Sequence, residues 1–319
     1  MAAYAFDPEL AEFAAMMTGM AVSDDIDASR EQIGAFVEIM NANLDLSGLD
    51  VGNRMIERPD GQGPIRVRLY HPVRAAGTLP AVLYIHGGAF TMGSIELEHA
   101  AAASLAREVG ALVVSVEYRL APEHPFPAAL DDCYAALRWL STSAEELAID
   151  RTRVAVCGTS AGGGLAAALA LLARDRGGPA ITFQFLGSPE LDDRLETHSA
   201  TTFVDTPMIC RETIEQSWRW YLGDVDRETV SPYAAPFRAT DLAGLPPAYI
   251  SAMEFDPLRD AAIHYGLRLL EAGVSVEVHT FPGTFHGSFV VDSAAVSMRE
   301  INEKVAVLRH ALTRSDSAG

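Results

Sequence analysis

The spacing of apolar residues along the chain changes near residue 51. Before that point, two sets of apolar residues recur at positions i, i+3, i+4 and i+7, which places each set on one face of a helix. These sets are Phe13, Met16, Met17 and Met20, and then Ile33, Phe36, Val37 and Met40. The polar stretch "SDDIDASR" between them supplies turn and capping residues. A helical segment is therefore predicted over residues 1–50.

Beyond residue 51, short strand-like runs alternate with helical segments. The runs "GNRMIERPD" and "PIRVRLYHP" meet at Asp60-Gly61, a turn signal that predicts an antiparallel hairpin. The later runs are "AVLYI", "ALVVSVEY", "VAVCG", "ITFQFLG", "PAYISA" and "VSVEVHTF", and helices are predicted at 96–109, 128–142, 161–175, 211–222, 258–272 and about 291–313. This alternation predicts an α/β fold with a mostly parallel sheet covered on both faces. Ligands then bind beyond the carboxyl ends of the strands.

The composition narrows the classes of partner. A chain of 319 residues suits one large α/β domain, and its net charge of −19 disfavours nucleic acid and anionic membranes. The apolar stretch 13–22 is too short to span a bilayer. Acidic residues stand where a secretory signal would be basic, so a cytoplasmic location is expected.

The cysteines give no sign of a disulfide framework or a metal site. The three, Cys133, Cys157 and Cys210, are sparse and odd in number. Cys157 ends an apolar strand and is interpreted as a small buried residue rather than a nucleophile.

A nucleophile is predicted in the segment "GTSAG", residues 158–162, which lies between the strand "RVAVC" and an Ala-rich helix. In that context G-x-S-x-G makes a sharp turn that exposes the serine hydroxyl at the positive end of a helix. The alternative, a phosphate-binding loop, lacks the Lys-Ser or Lys-Thr that should follow the glycines. Ser160 is the predicted nucleophile.

A serine hydroxyl needs a base, and the base needs a carboxylate to orient it. Among nine histidines, His286 in "FPGTFHGSF" lies just after a strand; the competitors His124, His264 and His279 lie in a Pro-rich turn, a helix and a strand. Asp256 in "EFDPLRD" is the predicted acid, and Glu254 and Asp260 are its competitors. Asp256 could instead have a purely structural role as the N-cap of the next helix. The order Ser, Asp, His is that of the α/β-hydrolases.

The anion that forms when a serine attacks an ester needs preorganised N–H donors. The loop "HGGAF", residues 86–90, follows a buried strand and carries two glycines that let a ligand approach the backbone. The predicted donors are the N–H groups of Gly87, Gly88 and Ala161.

Together these segments resemble the hormone-sensitive-lipase-like esterases, the bacterial family IV carboxylesterases of the α/β-hydrolase superfamily. "HGGAF" matches the oxyanion motif, and "GTSAGG" matches the nucleophile motif of the Thr-bearing subgroup. Four further segments resemble the family over nearly the whole chain: "EYRLAPEHPFPAAL", "SPYAAPFRATDLAGLPPAYI", "EFDPLRD" and "FPGTFHGSF". The resemblance assigns the same triad and oxyanion residues as the motifs.

The resemblance implies an α/β-hydrolase fold, with a mostly parallel eight-stranded sheet flanked by helices and an N-terminal helical cap. The cap is expected to comprise residues 1–50 with part of 188–225, and the catalytic domain residues 51–319. It further implies no cofactor, hydrolysis of short- to medium-chain acyl esters, and a possible homodimer through the last strand. The expected pocket residues are Ala89, Phe90, Met16, Met17, Met20, Phe36 and Phe203. The methionine stripe has a simpler alternative, namely packing against the main domain.

Ala89 departs from the family, which usually has a third glycine at this position. Its N–H is retained, but a positive φ there would strain alanine. Two other functions stay open: a specialised acyl hydrolase (amide deacetylase, lactonase or thioesterase) on the same triad, and a non-catalytic ligand-binding protein on the same fold. The latter typically lacks the catalytic histidine, which this chain retains as His286.

Overall fold

The structure, a computed structural model, describes residues 4–18, 25–73 and 77–313. Its strands are β1 (Leu49–Ile56), β2 (Ile65–Pro72), β3 (Leu79–Ile85), β4 (Leu112–Val116), β5 (Ile149–Thr159), β6 (Phe183–Gly187), β7 (Ala248–Phe255) and β8 (Val276–Phe285). Its α-helices are α1 (Ala11–Met17), α2 (Ile26–Asn41), α3 (His99–Val109), α4 (Ala128–Thr142), α5 (Ala161–Asp175), α6 (His198–Thr202), α7 (Arg211–Leu222), α8 (Arg259–Glu271) and α9 (Ala295–Thr313). The predicted alternation of strands and helices beyond residue 51 is confirmed.

The strands form one eight-stranded sheet in the order β1-β2-β4-β3-β5-β6-β7-β8. β1 and β2 make the predicted antiparallel hairpin, and β2 is also antiparallel to β4. The other neighbours are parallel, so the predicted mostly parallel sheet is confirmed. Because β5, β7 and β8 are parallel, the residues that follow them lie at one edge of the sheet.

Helices cover both faces of this sheet. β3 is buried along its whole length, and its alternating side chains enter two separate cores, Leu83 and Ile85 on one face and Val82 and Tyr84 on the other. The first core is completed by α4, α5 and α8, and the second by α3 and α9. The central strands are therefore apolar on both sides, which explains their continuous hydrophobic runs.

α1 does not pack on the face that the methionine spacing predicts. Ala14 is buried and the Phe13 ring stacks on Phe285 with centroids 6.3 Å apart, whereas Met16 is 63% exposed. A 3₁₀ turn over Pro8–Leu10, in which Leu10 is buried, leads into the short helix. Met16 therefore contributes little to the packing of α1, and its place in a substrate pocket stays a prediction.

The remaining members of the two stripes differ in their environment. Met17 ends α1 and is half-buried, while Met20 and the Phe36 side chain lie outside the described residues. In α2, Val37 is buried and Met40 is exposed. No helix in the described part of the chain has the length and apolar character needed to cross a membrane.

Polar contacts hold α2 against the segments that follow β3 and β4. The Arg30 guanidinium donates to the carbonyl oxygens of Thr91 and Ala121 at 2.9 and 2.8 Å. It also makes a bidentate ion pair with Glu123. α2 is thereby attached to the segment that follows the "HGGAF" loop.

Candidate active site

Ser160 occupies the turn between β5 and α5. Its φ of 60° and ψ of −126° place it in a strained conformation, and its N–H donates to the Gly187 carbonyl at 2.8 Å. The turn needs its flanking glycines, because a Cβ at Gly158 would strike the Gly162 carbonyl and one at Gly162 would strike the Ile85 carbonyl. The predicted sharp strand–turn–helix is confirmed, and Ser160 remains partly accessible.

His286 and Asp256 lie beside this serine. His286 Nε2 is 2.9 Å from Ser160 Oγ, and His286 Nδ1 is 2.8 Å from Asp256 Oδ2. The second Asp256 oxygen accepts the N–H of Leu258 at 2.8 Å, so the predicted N-cap-like contact coexists with the contact to histidine. Both Asp256 and His286 are buried. Each residue follows a strand directly, which is why the sheet brings them together.

The competing side chains have other partners. Glu254 accepts the N–H of Gly283 at 2.6 Å, and Asp260 accepts the N–H of Ser199 at 2.7 Å. His279 pairs with Glu303 at 2.6 Å on the outer strand. These contacts are structural and leave Asp256 and His286 as the pair beside Ser160.

The surroundings of His286 favour its protonated form. Burial lowers the pKa of His286, but the charge of Asp256 and its hydrogen bond raise it more, and the carboxyls of Glu190 and Glu300 add to the increase. The net pKa of His286 is above its usual value. The imidazolium that forms when a base takes a proton is therefore stabilised in this site.

The "HGGAF" loop differs from the prediction at its first glycine. The N–H of Gly87 donates to Glu98 Oε1 at 2.8 Å, and the Tyr84 hydroxyl donates to the other Glu98 oxygen at 2.5 Å. Gly87 is thus wrongly predicted as an oxyanion donor. Within the described residues, the N–H groups of Gly88, Ala89 and Ala161 have no acceptor.

The two glycines are explained by the protein's own backbone. A Cβ at Gly87 would lie 3.0 Å from the Thr159 carbonyl oxygen. Gly88 has a φ of 116°, and a Cβ there would strike the Met92 carbonyl. Ala89 follows with a φ of 54°, in the left-handed region that non-glycine residues adopt at a cost. The close approach that excludes side chains is therefore internal to the loop.

Helix α7 packs against the "HGGAF" loop. The Phe90 ring stacks on Tyr221 with centroids 3.9 Å apart, and Ser217 Oγ is 2.9 Å from the Ala89 carbonyl oxygen. Phe90 is only 1% exposed, so its ring belongs to the core and its prediction as a pocket wall is wrong. Phe203 is also buried and serves as packing.

Phe203 joins the two segments predicted to form a cap. Its ring contacts those of Tyr4 and Phe255 with centroids 5.9 Å apart in both cases. The Tyr4 hydroxyl donates to Asp205 at 2.6 Å. The N-terminal segment and the segment after β6 therefore meet at the carboxyl end of β7.

Two buried carboxyl groups near His286, those of Glu190 and Glu300, were not predicted from the sequence. Burial raises the pKa of Glu190 to about 8, and burial raises the pKa of Glu300 to about 7. Glu190 follows β6 closely, so the rule that selected Asp256 and His286 could have found it. Glu300 lies within α9, where no sequence pattern marks it.

Comparison with known proteins agrees with this geometry. The family described as "alpha/beta hydrolase fold" matches residues 82–290. The carboxylesterase NlhH of Mycobacterium tuberculosis is 43% identical over 242 residues, 74% of this chain and 76% of that protein.

Two solved structures match nearly the whole chain. A bacterial heroin esterase has a TM-score of 0.94 and 49% identity, over 98% of this chain and 99% of that one. The esterase LipW from Mycobacterium marinum has a TM-score of 0.89 and 38% identity, over 97% of both chains. The protein therefore belongs to the α/β-hydrolase fold family, among the hormone-sensitive-lipase-like carboxylesterases that its motifs resemble.

Proposed function

We propose that this protein is a serine carboxylesterase in which Ser160 Oγ attacks the ester carbonyl carbon. His286 Nε2 takes the serine proton and delivers it to the leaving alcohol, and Asp256 stabilises the imidazolium. Water then repeats the cycle on the acyl-enzyme and releases the acid. The continuous contact from Asp256 through His286 to Ser160 is the observation that carries this proposal.

The oxyanion is held, in this proposal, by the N–H groups of Gly88, Ala89 and Ala161. The first two lie in the loop after β3, and Ala161 is the first residue of α5, where the helix dipole also favours a negative charge. Their lack of acceptors in the described part of the chain supports the assignment. Ala89 replaces Gly87 from the sequence prediction.

The proposed substrates are short- to medium-chain acyl esters. The related proteins named above are esterases, which supports the ester class.

The proposed cap comprises residues 1–50 with part of 188–225, supported by the contacts of Tyr4 with Phe203 and Asp205. The three free cysteines suit the proposed cytoplasmic location, which cell fractionation tests.

The test of the proposal is the variant Ser160→Ala. We expect it to abolish hydrolysis of p-nitrophenyl acetate and butyrate, since the remaining groups supply no nucleophile. Ser143→Ala, at the end of α4, is the matched control and should retain wild-type activity. Circular dichroism must show that both variants are folded. Substantial turnover by folded Ser160→Ala would refute the mechanism.

A substrate panel tests the ester class. We expect the wild-type protein to hydrolyse p-nitrophenyl esters of short acyl chains faster than matched anilides or thioesters. A preference for the amide or thioester would point to the specialised acyl hydrolase instead. An acyl-chain series on the same leaving group then defines the chain length.

A further inference from the structure

The hydroxyl of Ser217 lies between two acceptors. Its Oγ is 2.9 Å from the Ala89 carbonyl oxygen and 3.1 Å from Glu190 Oε1. A serine hydroxyl has one proton and can donate it to only one of them. If Ser217 donates to Ala89, its contact with Glu190 is a hydrogen bond only when Glu190 carries a proton and donates it to Ser217 Oγ.

Glu190 is placed where a neutral carboxyl is favoured. The residue is 2% exposed, and its N–H donates to the carbonyl of Ser160 at 3.1 Å. Burial is the largest cause that raises the pKa of Glu190, to about 8. The Asp256 carboxylate raises this pKa further, whereas the His286 ring, and a hydrogen bond if Ser217 is its donor, lower it. Two observations therefore favour a protonated Glu190: Ser217 has only one proton for two neighbouring acceptors, and the Glu190 carboxyl is buried.

We propose that protonated Glu190 is a positioning residue for ester hydrolysis, because its O–H holds Ser217 while Ser217 holds the carbonyl of Ala89. This inference rests on the proposed function. The hydrogen bond from Ser217 to the Ala89 carbonyl restrains ψ of Ala89, and the N–H of Ala89 is a proposed oxyanion donor. The chain Glu190–Ser217–Ala89 thus holds a residue that is already in the strained left-handed region, with a φ of 54°.

Loss of the Glu190 proton would reverse the pattern. The Glu190 carboxylate would accept the Ser217 proton and leave the Ala89 carbonyl without that donor. It would also place a negative charge near the position where the oxyanion forms. The transition state carries this anion and the substrate does not, so the effect falls on kcat more than on KM.

The groups that face Glu190 set the expected pH profile. His286 after β8 and Asp256 after β7 act on its charge, and Tyr221 of α7 stays protonated because burial raises its pKa. The wild-type kcat should rise as His286 loses its proton. It should then fall as Glu190 loses its own, above about pH 8.

The experiment compares kcat from about pH 6 to about pH 9.5 for p-nitrophenyl butyrate in the wild type and three variants. Glu190→Gln supplies a permanently neutral N–H donor. It should match the wild type within about twofold near pH 7 and lack the alkaline fall. Glu190→Ala and Ser217→Ala break the chain and should lower kcat roughly tenfold with KM little changed. Thermal unfolding reports the stability of each variant.

The outcomes separate this inference from the proposed function. An active wild type whose kcat stays level in alkali, or an equal fall in Glu190→Gln, refutes the role of Glu190 and leaves the esterase proposal standing. Variants Glu190→Ala and Ser217→Ala that lose only thermal stability also refute it. A wild type inactive on all esters refutes the proposed function itself.

Discussion

Ala89 holds a left-handed conformation that its family usually assigns to glycine. Its φ is 54°, a region in which a non-glycine residue loses roughly 1–2 kcal/mol. Replacing Ala89 by glycine would relieve this strain. It would also increase the conformational entropy of the unfolded chain, which offsets roughly 0.4–1 kcal/mol of the stabilisation. We therefore expect Ala89→Gly to raise the free energy of unfolding by about 0.5–1 kcal/mol, measured by urea denaturation.

The matched control for this prediction is Ala272→Gly. Ala272 has a φ of −81°, so glycine relieves nothing there and should destabilise the protein by roughly 0.5–1 kcal/mol. Equal destabilisation by both substitutions would show that Ala89 is not strained.

Asp256 is the main source of the raised pKa of His286. The variant Asp256→Asn removes its charge, so the pKa of His286 should fall and the acid limb of kcat/KM should move to lower pH. The plateau should fall by roughly 10³–10⁴-fold, because asparagine favours the wrong imidazole tautomer. The measurement is kcat/KM against pH.

Asp260→Asn is the control for the effect at Asp256. Asp260 bonds Ser199 and Arg259 outside the triad, so its variant should keep the wild-type acid limb. A shifted limb in Asp260→Asn, or an unshifted one in Asp256→Asn, would contradict the assignment of the acid.

Residues that follow strands could be selected from the sequence, because parallel strands end at one edge. Ser160, Asp256 and His286 were found in this way and lie in contact. Gly87 was misassigned because its N–H is taken by Glu98, the N-cap residue of α3, which sequence spacing does not place there. The Ser217 contact with Ala89 joins residues 128 positions apart and depends on tertiary packing.

At the scale of elements, α2 is fastened mainly through Arg30. Its guanidinium reaches two carbonyl oxygens and Glu123, so Arg30→Ala should loosen α2 without opening the sheet. We expect faster amide hydrogen exchange over residues 26–41 and a changed KM for ester hydrolysis. The exposed ion pair of Arg54 with Glu146 offers the control, since Arg54→Ala should alter neither. Unchanged exchange in Arg30→Ala would refute this attachment.

Long periodic elements were easier to predict than short ones. α5 and α7 match their predicted bounds, because their ends are marked by the turn at Ser160 and by Gly223. α1 has only seven residues and enters from a 3₁₀ turn, so tertiary packing decides its orientation. The methionine spacing carried no information about that turn.

At the scale of the whole molecule, the final strand leaves an open edge. β8 pairs with β7 alone, so its outer backbone groups have no strand partner among the described residues. We propose that two copies pair through this edge about a two-fold axis. Light scattering should then give twice the mass of the 34.2 kDa chain.

Two properties make the proposed dimer testable: the net charge of each copy, and the position of the pairing edge at β8 rather than at β1. Each copy carries a net charge of −19, so salt should screen the repulsion and strengthen the dimer. Thr280→Lys places a charge on β8 and should weaken the dimer, whereas Met55→Lys on the opposite edge strand should not. Both variants should still hydrolyse esters. A monomer mass at every salt concentration would refute the proposal, as would dissociation caused by Met55→Lys alone.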